Sequence, residues 1–427
     1  MSFKNVVGKF CKKVYDKIYN KKEFVEESKM KKEDLTRNRK VGFGDSMLIV
    51  LNKTCKGLRA AIRTFLETTK AESENYSRQA FSKSRMKIKW EAFREIFRMT
   101  VEEFYQEFKY KTYDKFRVFA IDGTKINLPF NPETINEFGI QNSSGELPQA
   151  LSSCLYDVLN GILIDATINP CRANERELAK EHIDYLAEHR TEKDLILFDR
   201  GYPSAELLSY IDKADFKYMM RADYTFVKGI LKKASSNDCI VQHTFVKTKI
   251  EMRIRILQIP ITDSKGDTIT EILITNIFDK KFTANDFEAL YHLRWGIETK
   301  YNDVKNKLEI EQFSGTSPLA IKQDFYATMF LNNLASMMIA ENAHAFDLAH
   351  NSKNNKYEYK ANVNAVISIL KDKVIEMLIT DSPRKGKKLM KYIYSQLLSA
   401  VTPIRPDRSY PRVKKHKSSK FSQNNKS

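Results

Sequence analysis

Cysteine is scarce in this 427-residue chain: Cys11, Cys55, Cys154, Cys171 and Cys239 are scattered, odd in number and never form a C-x-x-C pair. That pattern excludes a disulfide framework and a cysteine-rich zinc site, and it places the protein in a reducing cytoplasm. Long apolar runs are also lacking. The most apolar stretch, Phe325 to Ala340, contains Asn332 and Asn333 and falls short of the roughly 20 residues that span a bilayer. It is expected as a buried helix, with no membrane partner. The opening MSFKNVVGKFCKKVYDKIYN has neither the continuous apolar core nor the small-residue cleavage site of a signal peptide. Acidic residues are in deficit, 54 against 72 Lys and Arg, which leaves a net charge of +18.

What is present describes a folding chain. Apolar residues make up 42%, charged residues 30% and aromatics 11%, a globular composition and not a disordered or collagenous one. The length exceeds one compact core, so two or three structural units are expected. The positive balance calls for an anionic partner. Nucleic acid fits, because neutralised phosphates release counterions; an anionic membrane surface fits the charge equally, and motifs must separate them.

Residues 1–112 show helical periodicity, with DSMLIVLNK opening on Asp45 as a cap and a second helix around KWEAFREIF. Between them, SRQAFSKSRMKIKW sets Arg78, Lys83, Arg85, Lys87 and Lys89 among aromatics. This reads as a helical DNA-binding module or, with equal weight on this segment alone, as a solvated basic helix face. From 113 to 222 the texture changes to strands: RVFAIDGT, ALSSCLYDVLNGILIDATINP, in which Asn160-Gly161 signals a two-residue hairpin, DLILFDRGY and KYMMRA, with helices between Ala173 and Arg190 and from Pro203. Strands followed by alternating helix and strand predict an α/β fold with a mixed sheet. Residues 223–282 form a β-rich insertion around a Ser264-Lys265-Gly266-Asp267 turn. Helix resumes at Thr283 with a capping box, completes the core over 283–345, and continues through 346–427 to a basic tail that adds phosphate affinity.

The chemistry concentrates in YHLRWGIETKYNDVKNKL, where Tyr291, Arg294, Glu298 and Lys305 follow the spacing Y-x2-R-x3-E-x6-K. On one continuous helix at about 100° per residue these four fall within an arc of roughly 60°. Leu290, Leu293, Ile297, Tyr301, Val304 and Leu308 form an adjoining apolar arc of roughly 80° by the same geometry. A charged face of this kind is more often solvated than catalytic. Its position argues otherwise, since two upstream strands each end in an aspartate and a Gly-containing turn: AIDGT at Asp122 and LFDRGY at Asp199. Asp157 and Asp165 are competing strand acids that the pattern does not exclude.

Asp122 in DGT, Asp199 in DRGY, the β-rich insertion and the Tyr-Arg-Glu-Lys signature together resemble the bacterial insertion-sequence transposases of family four. The resemblance spans most of the chain. It implies a ribonuclease-H-like catalytic core and a metal site of Asp122, Asp199 and Glu298, the catalytic carboxylates. It further implies DNA contacts by Tyr291, Arg294 and Lys305, and cut-and-paste transposition as a homodimer on paired element ends and target double-stranded DNA, at the bacterial nucleoid. Two Mg²⁺ ions, replaceable by Mn²⁺, suit an all-carboxylate set. Arg200, Arg78 and Arg85 are further candidate DNA contacts. Relatives that form a hairpin intermediate stack a flipped base on a tryptophan of the insertion; this chain departs from that pattern, because Trp90 and Trp295 both lie outside it. Trp295 either stacks on DNA or anchors its helix to the core. The competing readings are a metal-dependent nuclease without strand transfer and a domesticated, non-catalytic DNA-binding protein.

Overall fold

The computed structural model describes residues 5–36, 41–52, 57–69, 76–140, 147–190, 192–262, 266–351, 357–380 and 382–405. Along them run α1 (Val6–Asn20), α2 (Lys22–Glu27), α3 (Phe43–Leu51), α4 (Leu58–Thr69), α5 (Arg78–Arg85) and α6 (Glu91–Glu107), then β1 (Phe116–Asn127), α7 (Pro132–Phe138), β2 (Gln149–Asp157) and β3 (Ile162–Pro170). There follow α8 (Glu175–Glu188), β4 (Lys193–Phe198), α9 (Ala205–Lys213), β5 (Lys217–Arg221), α10 (Tyr224–Leu231), β6 (Asp238–Thr244), β7 (Glu251–Thr262) and β8 (Thr268–Thr275). The chain continues through α11 (Ala284–His292), α12 (Trp295–Asn306), α13 (Pro318–His350), β9 (Tyr359–Ala361), α14 (Val363–Ile379), α15 (Pro383–Ser399) and β10 (Val401–Pro403). The basic tail from residue 406, and Ser264 and Lys265 of the expected turn, lie outside the described residues.

The chain divides into two compact units. One comprises residues 1–109, 126–150 and 303–427; the other comprises 110–125 and 151–302. The N-terminal helices share a unit with the last ones. In the first unit α13 is the axis: Phe325, Tyr326, Met329, Phe330, Leu334 and Met337 are buried, together with Asn332 and Asn333, so the helix is enclosed all round from Gln323 to Met338, and its last turns are exposed. Against it pack α1, α3, α6, α14 and α15. Ser317 caps it by accepting from Ala320 N, and Pro318 occupies its first turn, where a missing N–H breaks no bond. Helix α3 begins earlier than the sequence indicates. Its cap is Gly42, and Asp45 sits at the third helical position, where its carboxylate accepts from Gly42 N at 2.8 Å.

The second unit is built on an eight-stranded mixed sheet in the order β3-β2-β1-β4-β5-β8-β7-β6. Strand β4 pairs in parallel with β1 and with β5. Its Leu195, Ile196, Leu197 and Phe198 are all fully buried, as expected of a parallel strand covered on both faces. The order β3-β2-β1-β4-β5, with helices between the later strands, is the ribonuclease-H-like arrangement. Strands β8, β7 and β6 join antiparallel to β5 and to one another, so the insertion lengthens the core sheet and does not form a separate layer. It also contains α10, which the alternating pattern does not announce. The β2–β3 connection spans four residues, Val158 to Gly161, with Gly161 at φ 74°. The two-residue hairpin is thereby corrected: Asp157 accepts from Leu159 N and Asn160 N and rounds the turn two residues earlier.

Candidate active site

Register places the first two acids side by side. Strands β1 and β4 pair in parallel up to Ala120↔Leu197, and Asp122 and Asp199 each stand two residues farther on. Asp199 follows the last residue of β4, whereas Asp122 stands within β1, which runs past the strand end expected at AIDGT and on to Asn127. Both lie just beyond the paired stretch of the two parallel strands, where such sheets present their chemistry. Arg117 and Asp194 hold that register. They face each other across the pair, with Arg117 Nε 2.7 Å from Asp194 Oδ1 and Nη2 2.8 Å from Oδ2. This bidentate bond is buried, so it resists a slip that would separate the aspartates.

Each aspartate is steadied by a backbone N–H just after it: Asp122 Oδ1 accepts from Gly123 N, in the same strand, at 2.9 Å, and Asp199 Oδ1 from Gly201 N, in the turn after β4, at 2.8 Å. Burial and the neighbouring Asp199 charge push the Asp122 carboxyl up to about 7; the Gly123 N–H and Arg294 offset part of this, and Glu298 adds to it. Tyr301 donates to the Asp122 carbonyl oxygen at 2.5 Å. Tyr202, 1% exposed, has a hydroxyl with no hydrogen-bond partner among the described residues. Burial, and after it the charges of Asp122, Glu175 and Asp199, hold its proton on.

The signature segment is two helices and not one. Helix α11 ends at His292 and α12 begins at Trp295, and the joint is wound by i to i−3 bonds, Leu293 N to Leu290 O through Ile297 N to Arg294 O. This tighter winding breaks the single polar stripe expected at 100° per residue. Tyr291 lies on α11, Arg294 in the joint, and Glu298 and Lys305 on α12. Tyr291 and Arg294 are buried at 4% and 7% exposure, and the Arg294 guanidinium lies 5.7 Å from the Tyr291 ring centre. Arg294 Nη2 donates to Glu298 Oε1 at 2.9 Å. Its charge also acts on Asp122, which places it among the acids. Trp295 is 56% exposed and stacks on His292, so it does not anchor the helix in the core. Lys305 is half-buried in the last turn of α12.

The structure brings Asp122 and Asp199 together and sets Glu298 within electrostatic reach of Asp122, with its carboxylate turned to Arg294. Among the described residues no three acid, histidine or cysteine side chains already stand as a metal cage. The donor set nonetheless fits a hard divalent cation: carboxylate oxygens crowd one another, and the arginine among them carries the positive charge. The competing acids are engaged elsewhere. Asp157 caps its turn, and Asp165 Oδ2 accepts from His182 Nδ1 at 2.9 Å, while His182 Nε2 lies 3.1 Å from Ser153 Oγ. This Ser-His-Asp chain has the connectivity of a nucleophilic triad, but all three residues are buried, so no substrate reaches it.

Two of the basic candidates part company. Arg78 and Arg200 are exposed, whereas Arg85 is 2% exposed and bonded to Asp324 Oδ1 at 2.9 Å, Gln323 Oε1 at 2.8 Å and Ser314 Oγ at 2.7 Å. As a DNA contact Arg85 is therefore corrected to a structural ion pair joining α5 to α13. Glu175, in the first turn of α8, was not singled out by sequence pattern, because it reads as an ordinary helix-start acid; its proximity to Asp199 is a tertiary fact.

Residues 113–334 match the family model described as Transposase DDE domain. The transposase InsG for insertion sequence element IS4 of Escherichia coli (strain K12) is 22% identical over 362 residues, 80% of this chain and 77% of that protein. A cryo-EM structure of the piggyBac transposase synaptic complex with hairpin DNA covers 90% of this chain and 85% of its own at 9% identity and a TM-score of 0.48. No helix among the described residues is long and apolar enough to cross a membrane. With more than half of its length matched by the family model, the chain belongs to the DDE transposases, DNA-binding enzymes that use divalent metal ions to cleave DNA and transfer the freed strand.

Proposed function

We propose that Asp122, Asp199 and Glu298 bind two Mg²⁺ ions, for which Mn²⁺ substitutes, and that the protein moves a DNA element by cut-and-paste transposition as a homodimer on paired element ends. The observation that carries this reading is the parallel register setting Asp122 beside Asp199, with the Arg294–Glu298 pair acting on the same acids. Bound divalent ions would activate the attacking oxygen and stabilise the leaving one. The chain's own residues do the rest. Gly123 N and Gly201 N orient the two aspartates. Arg294, once Glu298 turns toward a cation, presents a bidentate fork to a phosphate, and Lys305 a point charge. Trp295 and Arg200, both exposed, suit contact with double-stranded DNA, as does Arg78 among the N-terminal helices. Tyr291 supports Arg294 from beneath. Such an enzyme works at the nucleoid of a bacterial cytoplasm.

The test is a nicking and gel-shift assay on element ends. Asp122→Ala, Asp199→Ala and Glu298→Ala are each expected to abolish Mg²⁺-dependent cleavage and leave end binding intact. Full cleavage by any one of them removes that residue from the site. Cleavage by the wild-type chain without any joining of ends to target would favour a nuclease, and end binding without cleavage a domesticated binding protein.

A further inference from the structure

A fourth carboxylate stands against the pair. Glu175 opens α8 immediately after its cap, Asn174. A Cβ placed on Gly123 would lie 2.8 Å from Glu175 Oε1 and 3.1 Å from its carboxyl carbon, so the acid lies directly over the residue that follows Asp122. The next residue, Arg176, donates from Nη2 to Gly201 O at 2.9 Å, which ties the start of α8 to the turn that follows Asp199. Glu175 is thus flanked by strand β1 beside Asp122 and by the turn that follows Asp199. Among the described residues it accepts no hydrogen bond and joins no ion pair, although Lys125 and Asp199 act on it through space. The buried Tyr202 hydroxyl, without a partner among the described residues, feels Asp122, Glu175 and Asp199 together.

Three carboxylates around one unsatisfied phenol are mutually repulsive unless a cation joins them. We propose that Glu175 is a fourth acidic member of the metal site, holding a divalent ion directly or through its water together with Asp122 and Asp199. The proposal rests on the metal-site reading above. A side chain at position 123 would displace the Glu175 carboxylate, the far end of a flexible side chain, from where it stands. The plainer reading is a first-turn acid favoured by the helix dipole. Glu177, exposed in the same first turn, has that role without facing the aspartates, and therefore serves as the internal control.

The experiment is Mn²⁺ binding to the full chain by calorimetry, with thermal melting in EDTA alongside, for wild type, Glu175→Gln, Glu177→Gln and Asp122→Asn. Glu175→Gln is expected to weaken Mn²⁺ binding by about tenfold or more or to lose one ion, while Glu177→Gln binds as wild type does. In EDTA, Glu175→Gln should melt at or above the wild-type temperature, because it removes a repulsion, whereas loss of a purely structural acid would lower it. Wild-type affinity and stoichiometry in Glu175→Gln would overturn the proposal while Asp122→Asn still upheld the metal site. Absence of Mn²⁺ binding in the wild type would overturn both.

Discussion

The guanidinium of Arg294 lies 2.9 Å from the Glu298 carboxylate, one turn away across the joint between α11 and α12. An arginine held this close to the third acid does two jobs that mutation can separate. It neutralises carboxylates that a divalent ion would otherwise neutralise, and it supplies a planar fork for phosphate. Arg294→Ala is expected to leave Mn²⁺ affinity by calorimetry unchanged or higher, yet to lose strand transfer. Arg294→Lys should restore transfer only in part. Normal transfer by Arg294→Ala and by Lys305→Ala would leave neither with a part in positioning DNA.

Trp295 is exposed beside these groups. If it stacks on DNA, Trp295→Ala should weaken element-end binding in a gel shift by about 1–3 kcal/mol and change urea-unfolding stability by no more than about 0.5 kcal/mol. A large loss of stability with unaltered DNA affinity would show the indole to be a packing residue.

The Arg85–Asp324 pair is enclosed and fully bonded. Arg85→Ala leaves Asp324 buried with a charge, so the first unit should lose about 3–5 kcal/mol, measured by urea denaturation. A DNA-affinity defect without a stability defect would restore Arg85 as a contact residue.

Asp165 is bonded to His182 in the interior. Asp165→Asn should lower stability by about 1–3 kcal/mol while cleavage per folded molecule is retained, assayed at a temperature where the variant stays folded. Abolished cleavage by a folded Asp165→Asn protein would move it into the catalytic set in place of Asp122 or Asp199.

The sequence by itself determined the elements whose causes are local. The strand run ending in LFDRGY, the Thr283 capping box closed by Asp286, and the mostly apolar Phe325–Ala340 run are short-range patterns, and the structure has each of them, whereas β1 runs past AIDGT to Asn127. The spacing Y-x2-R-x3-E-x6-K named its residues without any structure, because side-chain type and interval suffice to pick out a signature. Tertiary structure decided what depends on pairing between distant segments. Only strand register sets Asp122 beside Asp199 and turns Asp157 and Asp165 to other partners. Periodicity assumed an unbroken helix through Arg294, but the i to i−3 bonds at Leu293 and Arg294 divide it. Composition counted Arg85 with the free cations, although Asp324, more than two hundred residues away, neutralises it. Glu175 looked like any helix-start acid until α8 was laid over Gly123. Local propensity is written in neighbouring residues, whereas the meeting of charges across a sheet is fixed by the packing of the whole core, and a sequence read residue by residue does not contain it.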